Sequence, residues 1–178
     1  MRKFILLTAF CLAALAVLDA QRATGPAGAG PRMRIESVKG TFEIRFFPAD
    51  APKSVAHILG LAKRNYYRGQ RIHRVESSLV QFGDQVSRDM SRQAWWGRAG
   101  SGIVIGVAEF SKRSHTRGTV SLAHSGNPRN ADSQLFIVKA ASPHLDGKHV
   151  IIGQVVTGMD IVDKLQVTDQ LRQVVITE

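Results

Sequence analysis

The feature that most constrains this chain is Thr41–Phe47, where apolar and charged residues alternate. Phe42, Ile44 and Phe46 fall on one side, Glu43 and Arg45 on the other. Strand side chains point to opposite faces with period two, so this stretch reads as a β-strand with one buried face. Lys39-Gly40 supplies a turn before it, and Met33–Val38 alternates more weakly, which makes the pair a hairpin. The period then changes. Val55, Ile58, Leu59 and Ala62 stand at i, i+3, i+4 and i+7, the apolar stripe of a helix. Pro52 suits its first turn, Asp50 or Ala51 its cap, and the stripe ends before Asn65.

Short apolar runs continue along the chain. Arg71–Val75, Leu79–Phe82, Thr119–Ala123, Gln134–Val138, Val150–Val156 and Arg172–Thr177 read as strands, and a second short helix fits Asp160–Leu165. Gln85–Arg117 is long, polar and contains glycines; loops of that length inside a compact domain are usually functional or partly structured. Many short strands with two helices imply a sandwich or barrel.

The N-terminus has a different character. Arg2 and Lys3 precede an uncharged apolar run, Phe4–Val17, and Leu18-Asp19-Ala20 offers a cleavage site. The run is shorter than the roughly 20 residues a spanning helix needs. Residues 1–20 therefore read as a signal peptide, which implies export to a periplasm or the exterior and no stable membrane insertion after cleavage. Residues 21–32 read as a flexible Gly/Ala linker and 33–178 as the folded domain. Cys11, the single cysteine, lies in the leader, so the mature chain has no disulfide.

A 44% hydrophobic share with 21% charged residues supports a packed core. The net charge of +10 is scattered, with no interleaved aromatics of a nucleic-acid module. The six histidines show no His-Glu-x-x-His spacing and no cysteine pair exists, so no metal is expected. There is also no Gly-x-Ser-x-Gly elbow.

Four segments remain: Ile72-His73-Arg74-Val75, Gln81-Phe82-Gly83-Asp84, Ser133-Gln134-Leu135-Phe136-Ile137, and His144-Leu145-Asp146-Gly147-Lys148-His149-Val150, closed by Gly153. Alone, each says little; a strand arginine is usually a surface residue with a buried stem. In this order they resemble the cyclophilins, a family of peptidyl-prolyl cis/trans isomerases. That family carries Phe-His-Arg-Val-x-Pro-Gly-Phe-x-x-Gln-Gly-Gly-Asp, then Ser-Gln-Phe-Phe-Ile, then Trp-Leu-Asp-Gly-Lys-His-Val-x-Phe-Gly. The likeness runs from near Met33 to the C-terminus and includes Asp50-Ala51-Pro52-Lys53, Tyr66-Tyr67 and Gly158-Met159.

The resemblance implies a mainly β fold, a closed eight-stranded antiparallel barrel capped by two α-helices. A small barrel has a packed interior, which puts the site on the outer face. It implies a cofactor-free, monomeric enzyme acting on X-Pro bonds of unfolded or partly folded proteins. By resemblance Arg74 is the catalytic arginine, Gln81 holds it, and Gln134 contacts substrate backbone. Phe136, Leu145 and His149 grip the proline ring. His124 and His144 stand in the binding region where the family has Asn and Trp, and loss of that Trp implies poor cyclosporin sensitivity. His73 adjoins Arg74 in the strand, so it faces the other way and is expected to pack or hydrogen-bond.

The chain also departs from the pattern. Arg74 to Asp84 is one residue short, and Ser77-Ser78 replaces Pro-Gly. Leu79 then takes the place of the pocket Phe, or Ser78 does if the gap falls later. Phe82 replaces a Gly, and Ile72 a Phe. Two readings follow: an isomerase that accelerates folding of exported proteins, or a chaperone or scaffold that holds proline segments with little turnover. Arg74, Gln81, Gln134 and Phe136 favour the first; the altered Ser77–Leu79 stretch is what the second rests on.

Overall fold

The computed structural model describes residues 30–177; the expected leader and most of the linker lie outside the described residues. Eight strands form one sheet: β1 Arg32–Ser37, β2 Gly40–Phe46, β3 Arg74–Val75, β4 Leu79–Phe82, β5 Thr119–Leu122, β6 Leu135–Val138, β7 Ile151–Thr157 and β8 Leu171–Thr177. Their order is β3-β4-β6-β5-β7-β2-β1-β8, with every neighbour antiparallel. β1 begins at Arg32, inside the stretch expected as linker, and the Pro31 carbonyl already accepts from the Phe46 N–H at 2.9 Å.

The expectation of a closed barrel is corrected. The sheet curls, but its end strands β3 and β8 do not ladder with each other. The reason lies in β3, which has only two residues where Arg71–Val75 was expected, and pairs only with β4. The seam is stitched just outside the strands, at an isolated Arg71–Gln170 bridge. Gly69 N–H and Ile72 N–H donate there to the Leu171 and Asp169 carbonyls at 2.7 and 2.9 Å. The result is an open, curled half-barrel.

Alternation in the hairpin comes out as read. Met33 and Ile35 of β1 and Phe42, Ile44 and Phe46 of β2 are buried together. Helix α1, Pro52–Lys63, lays Val55, Ile58, Leu61 and Ala62 onto that core, and the short helix α2, Met159–Lys164, adds Val162. Each fully buried side chain of this kind is worth about 1.5–3 kcal/mol. The cap of α1 differs from the expectation: neither Asp50 nor Ala51 supplies a side-chain cap. Glu109 does so from the long loop, its carboxylate accepting from the Lys53 and Ser54 N–H groups at 3.1 and 2.8 Å. Asp50 instead pairs with Arg113 at 2.6 Å.

These contacts explain how Gln85–Arg117 stays ordered with little regular structure. Asp84 is fully buried and ties both ends of the loop's first half, accepting from Val86 N–H at 2.8 Å and Gly97 N–H at 2.6 Å. Asp132 holds the next part through the Ser101 hydroxyl and the Gly102 N–H. Glu109 and Arg113 hold the last. Polar anchors replace the apolar stripe that a helix would need.

The central strands set up the site. In β4, Val80 and Phe82 enter the main core, while Leu79 and Gln81 face outward. In β6, Leu135 and Ile137 enter it, while Phe136 and Val138 face outward. All four positions of each strand are nevertheless buried, so the outer face of this part of the sheet is also covered. That second, smaller apolar cluster is where the motif residues gather.

Candidate active site

Strand register places the motif side chains in one row across the sheet. Arg74 of β3 pairs with Gln81 of β4, Gln81 with Phe136 of β6, and Phe136 with Ser121 of β5. Directly opposed residues on an antiparallel pair lie on the same face, with Cβ atoms about 4.5–5.5 Å apart. Residues far apart in sequence thus become neighbours by pairing alone.

A polar relay runs along this row. Arg74 Nη1 donates to Gln81 Oε1 at 3.2 Å, and Gln81 Nε2 donates to Gln134 Oε1 at 2.8 Å. Gln134 Nε2 then donates to the Gly97 and Ala99 carbonyls at 3.0 and 2.8 Å. Gln81 is buried, so the relay fixes the arginine from below. From the side comes Glu76, whose Oε1 lies 2.7 Å from Arg74 Nε and 2.6 Å from Nη2. Arg74 and Glu76 are two apart on one strand path and share a face. Their side chains are 51% and 45% exposed, so the pair itself adds at most about 1 kcal/mol to stability.

Beside the guanidinium lies an apolar floor. Phe136 is 3% exposed and packs with Leu79 and Val138, with Leu145 and Ala123 at the edge. His149 meets Phe136 edge to face, centroids 5.2 Å apart, and His124 stacks on His149 at 4.4 Å. His149 Nδ1 donates to the Leu122 carbonyl and His124 Nε2 to the Lys148 carbonyl, both at 3.0 Å. Burial lowers the His149 pKa; the Leu122 carbonyl opposes this, and the neighbouring His124, His115 and Arg74 add to it.

Behind the floor sits a Ser–His–Asp chain, its serine and histidine buried and its aspartate partly exposed. Ser121 Oγ is 3.0 Å from His115 Nε2, and His115 Nδ1 is 2.7 Å from Asp146 Oδ1. The His115 ring and N–H hold the Asp146 carboxyl below its usual range. Ser121 has no exposure, so its hydroxyl is not offered to a substrate as a nucleophile. What the chain does is fix His115, whose ring stacks on Phe136 at 6.0 Å and 11°.

Comparison with known proteins matches residues 32–178 to the family model of the cyclophilin type peptidyl-prolyl cis-trans isomerases. The chain belongs to the cyclophilin family. It is 40% identical over 131 residues to a probable peptidyl-prolyl cis-trans isomerase of Brucella abortus, covering 71% of this chain and 67% of that one. A cyclophilin type isomerase of Cryptosporidium parvum shares the fold, with TM-score 0.72 at 22% identity over 84% of this chain and 99% of that one. A second structure of it, in the presence of the dipeptide Ala-Pro, gives TM-score 0.71 at 22% identity, over 83% and 99%.

In this cyclophilin the structure brings Arg74, Gln81, Gln134, Leu79, Phe136, Leu145, His149 and His124 to one outer face. His144 is exposed in the turn Pro143–Leu145, next to Leu145 at the floor's edge. Leu79, not Ser78, takes the pocket position, since β4 begins at Leu79 and turns it onto Phe136. Gln134 links the long loop to the relay. Both its amide hydrogens go to the loop and its oxygen to Gln81, which makes it the brace between loop and relay. The His73 ring is largely buried beside Gly97, whose carbonyl accepts from Gln134; neither ring nitrogen is hydrogen-bonded, and burial lowers its pKa.

Sequence reasoning missed Glu76 and His115. The first had a signal, since i and i+2 on a strand share a face. The second had none, because His115 reaches the site only through tertiary packing.

Proposed function

We propose that this chain accelerates isomerisation of X-Pro bonds in exported polypeptides, with Arg74 as the catalytic residue. The observation that carries the reading is the row Arg74–Gln81–Phe136, a fixed cation beside an apolar floor. Rotation about a peptide bond meets a barrier of about 18–20 kcal/mol from amide resonance. In the twisted state the prolyl nitrogen regains its lone pair and becomes a better acceptor. A donor aimed at that nitrogen binds the twisted form more tightly than the planar one, and this difference is the catalysis.

Arg74 suits the task because its fork stays charged and planar. Glu76 and Gln81 engage three of its five N–H groups, leaving one on each terminal nitrogen for substrate. Phe136, Leu79, Leu145 and His149 form the wall against which a proline ring packs. Water excluded by that wall strengthens the arginine's interaction. No bond is made or broken, so no cofactor is required. The dipeptide Ala-Pro used with the Cryptosporidium relative is of the same chemistry.

One observation favours a second reading, a holding module with little turnover. Glu76 places a carboxylate on the guanidinium and offsets part of its charge. Refolding of a client whose slow phase is X-Pro isomerisation separates the two. The isomerase shortens that phase at catalytic amounts, and Arg74→Ala abolishes the effect. A holding module needs stoichiometric amounts and is indifferent to Arg74→Ala. Export rests on residues 1–20: the mature chain recovered from the cell envelope should begin at Gln21. A chain that retains Met1 in the cytoplasm contradicts it.

A further inference from the structure

Eight large apolar side chains are exposed among the described residues, and five of them, Met90, Trp95, Ile103, Val104 and Phe110, lie in the single segment 90–110. Of these, Val104 lines a cavity beside the active site and Trp95 carries a cation that lines it too. Trp95 and Val104 are 58% and 56% exposed. The segment is strapped down by Asp84, Asp132 and Gln134, so its backbone is already ordered and a partner that binds it pays little further entropy.

A cavity of about 460 Å³ joins this segment to the active site. Gln81 and Gln134 line one side, and Arg98 and Val104 the other. Arg98 lies over the Trp95 ring, its guanidinium carbon 5.1 Å from the centroid, and pairs with no carboxylate among the described residues. Asp132 also lines the cavity, but its side chain is 14% exposed. Its oxygens already accept from the Ser101 hydroxyl, the Gly102 N–H and the His57 ring. The charge offered to an incoming group is therefore that of Arg98. Residues 21–178 hold 22 basic and 13 acidic residues, and their net charge of +9 adds long-range attraction of the same sign.

We propose that Arg98, backed by Trp95 and Val104, reads an acidic side chain of the client a few residues from its X-Pro bond, so that this isomerase prefers acidic-apolar segments over basic ones. This rests on the reading of Arg74 and Phe136 as the reacting site. The occupant is the same polypeptide that fills the groove, because Gln81 and Gln134 line both groove and cavity.

The test is a set of short X-Pro peptides carrying Glu, Lys or Ala in turn at each of three positions either side of the proline. At one position Glu should give kcat/KM about fivefold above Lys at low salt, the scale of one exposed ion pair. About 0.5 M salt should bring that ratio towards one. Arg98→Glu should invert it. Equal values for Glu and Lys at every position, with turnover intact, overturn the proposal, as does a preference unchanged in Arg98→Glu. If no peptide is turned over, the isomerase reading has failed instead. Peptide binding, followed by fluorescence of Trp95 and Trp96, then decides: tighter binding of Glu peptides by wild type alone sustains the role of Arg98, and equal binding overturns it.

Discussion

Replacing Gln81 by Leu removes the link between the arginine and the sheet while keeping side-chain volume. Two hydrogen bonds go with it, from Arg74 at 3.2 Å and to Gln134 at 2.8 Å. Gln134 Oε1 loses its donor, which costs about 1–2 kcal/mol of stability. Arg74 keeps only Glu76, a half-exposed partner worth about 0–1 kcal/mol. A hydrogen bond to a charged group is worth about 1.5–3 kcal/mol. If that ordering is expressed in the transition state, kcat falls about 10- to 100-fold. KM should move little, because the floor of Phe136, Leu79 and Leu145 is untouched. Exchange NMR on a short X-Pro peptide at several concentrations measures both quantities. A folded Gln81→Leu protein with kcat within about twofold of wild type refutes the idea that the relay orders Arg74.

Three further outcomes are expected. Phe136→Ala removes a buried ring and should lower stability by about 3–5 kcal/mol in denaturant melts, with weaker peptide binding in the protein that remains folded. Gly83→Ala should be far more damaging than Gly126→Ala in thermal melts. Both glycines have positive φ, +109° and +83°, but a Cβ on Gly83 would strike the Ser133 carbonyl and lie 2.7 Å from Gln134 Cα, while one on Gly126 meets nothing within 4 Å. His73 and His149 both have pKa values lowered by burial. The unfolded chain then takes up protons first, near its ordinary value of about 6.5, so the stability these rings provide is complete above that pH and declines as pH falls below it. Tm should drop between pH 7.5 and 5.5, and a flat Tm across that range contradicts the assignment.

Much of the fold was legible because period-two alternation and one helical stripe reflect local geometry. The β1–β2 hairpin and α1 follow from spacing alone. The ordered motifs already named Arg74, Gln81 and Phe136, which strand pairing sets in one row. What escaped depends on contacts distant in sequence. Glu109 caps α1 from 55 residues away, and no local rule points to that. His115 reaches Phe136 only when β5 and β6 pair. The open seam depends on how Gly69–Ile72 meets Asp169–Leu171, a hundred residues away in sequence.

The central claim is that Arg74 stabilises the twisted amide. Exchange rates of one short X-Pro peptide, measured with wild type and with Arg74→Ala, test it most directly. The account predicts that wild type accelerates exchange and that Arg74→Ala loses at least about 100-fold in kcat/KM, the scale of removing one preorganised donor, while still binding the peptide. Equal acceleration by both proteins would contradict it.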